Sequence, residues 1–77
     1  MTPDRVGIEL SRDEALVLYE WVSHFNKRED VVFDDQAEQR VLWDIEASLE
    51  SSLDEPFADS YSDLLTAARA RVRDSNA

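Results

Sequence analysis

Ser11-Arg12-Asp13-Glu14-Ala15-Leu16-Val17-Leu18-Tyr19-Glu20-Trp21-Val22-Ser23-His24-Phe25-Asn26-Lys27 begins as a helix begins and ends as one ends. Ser11 with Glu14 three residues on is a capping box: the serine oxygen can accept from the amide of Glu14, whose carboxylate reaches back. Asp13 and Glu14 fall in the first turn, and Lys27 and Arg28 at the last, each where the helix macrodipole favours that charge. A helix is predicted over residues 12–27. At about 100° per residue, Ala15, Leu18, Tyr19, Trp21, Val22 and Phe25 share one broad face. Leu16 and Val17 flank the polar strip of Glu20, His24 and Lys27, so this helix is apolar around more than half of its circumference. It has to be covered on two sides, by helices on one and by a strand or a second subunit on the other.

On its N-terminal side, Arg5-Val6-Gly7-Ile8-Glu9-Leu10 alternates, with Val6, Ile8 and Leu10 together, and reads as a short strand. On its C-terminal side, Val31-Val32-Phe33 is a brief β-favouring run, a candidate partner for residues 6–9 in a two-stranded ribbon. Such a ribbon needs helices packed on it to persist. Phe33 has an alternative use as a staple against Ala37 or Glu38, just before a cap at Asp34.

A second helix is predicted over residues 35–53, with Ala37, Val41, Leu42, Ile45, Leu49 and Leu53 on one face. Trp43 falls nearly opposite the centre of that face, beside Ala47 and Glu50. Glu50, Asp54 and Glu55 crowd the C-terminal end against the macrodipole, at a cost of a few tenths of a kcal/mol or more per charge. Pro56 ends this helix by disfavouring helical geometry in the residue before it. Asp59 or Ser60 then caps a third helix, residues 60–73, with a narrow stripe of Tyr61, Leu64, Leu65, Ala68 and Val72. Arg69, Arg71 and Arg73 finish it on the favourable end of the dipole. The predicted fold class is mainly α: a three-helix bundle with a short N-terminal β-strand, forming one small domain over residues 1–77.

Charge is distributed unevenly. Residues 29–63 hold twelve acids and one base, Arg40, while the remainder holds six acids and seven bases, which together give the net charge of −10. Such a distribution repels nucleic acid and anionic lipid and attracts basic surfaces. There is no cysteine, and hence no disulfide or thiolate metal site. The N-terminus lacks a basic region followed by an apolar core, and no apolar run approaches the roughly 20 residues of a membrane span. These features fit a cytoplasmic protein. Seven arginines against one lysine fit the codon bias of a GC-rich bacterial genome.

Chemical signatures are scarce. His24, the only histidine, stands one turn after Glu20, but one imidazole and one carboxylate make neither a catalytic triad nor a coordination sphere. The pair reads as solvated. Asp59-Ser60-Tyr61-Ser62-Asp63 lacks the third acidic ligand and the turn glycine of a calcium loop. Gly7 is the sole glycine, too few for a phosphate-cradling loop. No enzyme, cofactor or metal site is expected. A DNA-reading helix is not expected either, since helix 2 has a single basic residue.

Protein recognition is what remains. Trp43 and Ala47, ringed by Asp44, Glu46 and Glu50, have the composition of an aromatic anchor inside an acidic rim; the competing use of Trp43 is packing on helix 1 or on the loop around Phe57. The expected function is an acidic interaction module, of the inhibitor, immunity or antitoxin type, covering a basic partner surface. The alternative is a structural homodimer whose seam would include Ile8, Leu16 and Val17, since an uncovered strand edge invites pairing.

Residues 13–21, then Ala37-Glu38-Gln39-Arg40-Val41-Leu42-Trp43-Asp44, then Tyr61 with Ala68-Arg69, resemble a small uncharacterised bacterial family of helical hypothetical proteins. The resemblance covers most of the chain. It implies a bacterial origin and a helical fold, and brings no activity, cofactor or functional residue with it.

Overall fold

A computed structural model describes residues 4–74. Three helices form in order: α1 (Arg12–Asn26), α2 (Gln36–Ser52) and α3 (Tyr61–Asp74), with a single 3-10 turn at Glu55–Phe57 between the last two. The capping box closes as its sequence requires, with the Glu14 amide donating to Ser11 Oγ at 3.0 Å and the Ser11 amide donating to Glu14 Oε1 at 2.8 Å. The cap of α2 is Asp35, one residue later than expected, whose carboxylate accepts from the Ala37 amide at 2.8 Å. Glu38 reaches back to the Asp34 amide at 3.0 Å.

The central element is α1. Both α2 and α3 pack on it, whereas α2 and α3 barely meet. Both run antiparallel to it: Asn26 meets Leu42 and Glu46, Arg12 meets Asp54 and Glu55, Tyr61 meets Glu20, and Arg71 meets Asp13. Two of the three acids that oppose the dipole at the end of α2 are thus answered by Arg12 from the start of α1, at 3.8 Å from Asp54 and 2.7 Å from Glu55.

The core is small, with Leu16, Leu53, Leu65 and Ala68 in one cluster. Leu16 is only 3% exposed, although the periodicity placed it beside the polar strip. The reason is that α3 approaches α1 on the Leu16 and Glu20 side. Val22 is buried and Ala15, Leu18, Tyr19 and Phe25 half-buried as expected, but the inward sector extends to Leu16, and Trp21 is left 55% exposed, stacked on Phe25 with ring centroids 4.9 Å apart.

Among the described residues there is no strand. Residues 5–10 run without regular structure, and no ribbon forms with residues 31–33. Phe33 is engaged elsewhere, edge-on to the Phe25 ring at 6.2 Å, where it covers the end of α1. A ribbon this short could not compete with that aromatic contact.

The helices make an open assembly. The radius of gyration is 14.4 Å, against about 11.5 Å for a compact chain of this length. The accessible area is 6418 Å², against about 4,800 Å² expected for this mass. Val6, Ile8, Trp21, Val32, Val41, Trp43 and Phe57 all expose large apolar side chains.

Candidate functional site

The outer side of α2 is the first candidate. Leu42, Ile45, Glu46 and Leu49 are half-buried toward the rest of the molecule, and Leu53, just past the helix, is fully buried. Val41 and Ala37, expected on the inner face, are exposed. This rotation leaves Trp43 47% exposed, with Asp44, Ala47 and Glu50 exposed around it. The indole is therefore neither free nor swallowed: one part rests on the protein and the rest faces water.

Glu46 departs from the expected rim. The Asn26 amide nitrogen donates to its Oε1 at 2.7 Å and to the Leu42 carbonyl at 3.2 Å, clamping Glu46 in the α1–α2 seam. The Asn26 amide oxygen is buried without a hydrogen-bond partner. Glu50 and Glu46 also lie close enough to Tyr19 to act on it: its phenol is held above its ordinary pKa, first by partial burial and then by these two carboxylates. The rim offered to a partner is thus Asp44 and Glu50, with Ala47 between them. Of the twelve acids in residues 29–63, only Asp30, Asp54 and Glu55 form ion pairs among the described residues, with Arg28 and Arg12 from outside that stretch.

The second candidate lies on the opposite seam. Glu20 accepts from the Tyr61 hydroxyl through Oε1 at 2.5 Å, and its Oε2 lies 2.6 Å from His24 Nε2, so the expected solvated pair is in fact a three-residue cluster joining α1 to α3. Burial, and then the hydrogen bond and charge of Glu20, push the Tyr61 phenol far above its ordinary value and keep it a neutral donor. Beside the cluster runs a shallow groove whose floor is Val17, Trp21 and Phe25 and whose rim carries His24, Arg28 and Arg69. Arg28 is already held bidentately by Asp30, and only Arg69 of the two arginines is without an ion pair. This cluster has the geometry of a helix-to-helix tie. Tyr61 was legible only as a stripe residue, since its partner lies 41 positions away.

The residues named for a dimer seam do not lie together. Leu16 is enclosed by Leu53, Leu65 and Ala68, and Val17 lies in the groove beside α3. Ile8 stands apart with Val6 and Leu10 in a different groove, lined also by Leu18, Val41, Ile45 and Leu49. Among the described residues, no three His, Asp or Glu side chains come together so as to hold a metal ion, and no helix is long and apolar enough to cross a membrane.

No family model, no curated protein and no solved structure matches this chain.

Proposed function

We propose that the chain is an acidic protein-interaction module, of the inhibitor, immunity or antitoxin type, that covers a basic protein surface with the outer side of α2. The observation that carries this reading is the half-exposed indole of Trp43 set beside Asp44 and Glu50, two carboxylates without ion-pair partners among the described residues. A half-exposed aromatic side chain supplies contact area at low entropic cost, and flanking charges orient the partner. The excess of acid over base in residues 29–63 speeds encounter with a basic partner, and binding should weaken steeply as salt screens it. Carboxylates spaced along a helix can stand in for the phosphates of a nuclease substrate, which makes a basic nuclease a fitting class of target.

The test is capture from a bacterial lysate by the immobilised chain at low ionic strength, with elution by a salt gradient. A basic protein released by moderate salt, and no longer retained by Trp43→Ala or by the Asp44→Asn, Glu50→Gln double variant, supports the proposal. Retention unchanged in Trp43→Ala, or no basic protein retained at all, ends it. Because Trp43 is half out in water, the Ala variant should keep the helical circular-dichroism signal and lose no more than about 1–2 kcal/mol of stability.

A further inference from the structure

We propose that two copies of this chain associate through residues 5–9, pairing as an antiparallel ribbon with Gly7 at the twofold axis.

Gly7 is the only glycine in the sequence, and nothing within a single chain uses its missing side chain. Its backbone does not adopt a positive φ, and a Cβ built on it would meet no atom within 4 Å. A glycine inside an alternating segment, required neither by conformation nor by packing, marks a place where another backbone comes close. The backbone around it is available. None of the amides or carbonyls of residues 5–10 makes a hydrogen bond within the described chain.

The segment is also complementary to itself. In an antiparallel pair centred on Gly7, Arg5 of each copy stands opposite Glu9 of the other, and Val6 stands opposite Ile8. Opposed charges and opposed β-branched residues are both favourable cross-strand pairs. Neither Arg5 nor Glu9 has an ion-pair partner among the described residues. Within a molecule of net charge −10, residues 5–9 carry one base and one acid and are neutral, so two copies can approach here without local repulsion.

A bare two-stranded ribbon is marginal, and this one is not bare. Val6, Ile8 and Leu10 line one groove with Leu18, Val41, Ile45 and Leu49, and with Asp44 and Ser48 on its α2 side. Val6 and Ile8 are nonetheless 93% and 82% exposed, on the open side of that groove. Ribbon pairing would join the grooves of two copies across the axis and cover both sets. Asp44 lines this groove as well as the rim of the site proposed above, whereas Trp43 and Ala47 do not, so Trp43→Ala separates the two proposals: it should leave this dimer intact.

The experiment uses the full chain, which has no native cysteine. In Gly7→Cys the two thiols would face each other across the axis, with Cα atoms about 4.5–5.5 Å apart, inside the range that a disulfide spans. Mild oxidation should convert Gly7→Cys into a covalent dimer while Ser51→Cys, exposed on α2, stays monomeric. Arg5→Glu and Glu9→Arg should each weaken the noncovalent dimer about tenfold in sedimentation equilibrium, and the combined variant should regain wild-type association. A wild-type chain that remains monomeric at millimolar concentration, cross-linking equal at positions 7 and 51, or no recovery in the combined charge reversal would each overturn the proposal. Loss of fold does not confound these results, because residues 5–9 make no hydrogen bond within the chain and circular dichroism reports the helices directly.

Discussion

The two seams of α1 are built in different ways. Against α3, α1 buries Leu16 on Leu65 and Ala68, accepts the Tyr61 hydroxyl on the carboxylate of Glu20, and is braced at its far end by Arg71 on Asp13. Against α2 the polar ties are Asn26 on Glu46 and Leu42 at one end and Arg12 on Asp54 and Glu55 just past the other; Leu53, following the helix, joins the core, but no residue of α2 itself is fully buried. One seam is completed inside the molecule. The other leaves Leu42, Ile45 and Leu49 half covered and Trp43 and Val41 facing outward. Apolar area withheld from a core is what an interaction surface is made of, so the weaker seam is where binding partners should be sought.

The contrast is broken most directly in the core. Leu16→Ala should cost about 3 kcal/mol, enough to unfold much of so small a domain, whereas Leu49→Ala should cost only about 1 kcal/mol. Urea denaturation of the pair measures the difference; equal losses would remove the distinction between the seams. Tyr61→Phe comes next. It leaves the partly buried Glu20 carboxylate without its hydroxyl donor and should cost about 1–2 kcal/mol, read as a fall in melting temperature.

Asn26→Ala should cost about 1 kcal/mol on the weaker seam, the loss of two hydrogen bonds being offset in part by removal of the buried, unpartnered amide oxygen. It also frees Glu46, so salt-dependent binding of a basic partner should strengthen in the same variant. The smallest effect is acid sensitivity. The hydrogen bond from Arg71 holds the Asp13 carboxyl below the usual carboxylate range, and Arg12 does the same for Glu55. A depressed folded-state value means that the stabilisation is complete above the unfolded pKa of about 4 and is lost as pH falls through the folded value. Both pairs are exposed and screened, so the loss should be slight and should shrink further in high salt. Melting temperatures of wild type and Asp13→Asn, compared between pH 6 and pH 2, check the sign: the gap between them should close as pH falls.

Local chemistry made much of this architecture legible. The Ser11 and Glu14 box, the acids of the first turns, the break at Pro56 and the clean stripe of α3 each depend on residues within four positions of one another. All three helices stand within two residues of where that chemistry put them. The strand at residues 5–10 was a different matter, since an alternating pattern records the capacity to pair and not the presence of a partner.

The helix faces were the other point where local reading fell short. Leu16 and Trp21 have exchanged roles relative to the periodicity of α1, and Val41 has done so in α2. An amphipathic stripe as broad as that of α1 permits several rotations of nearly equal apolar content, and the docking of α3 through Leu65, Ala68 and Tyr61 selects among them. The amino-acid order by itself therefore determined where the helices start and stop and where the negative charge accumulates, because capping, proline geometry and charge counting are local or additive. Only the tertiary structure decided which side of each helix is buried, that Glu20 belongs to Tyr61, and that Trp43 faces water, because those outcomes depend on contacts between residues tens of positions apart.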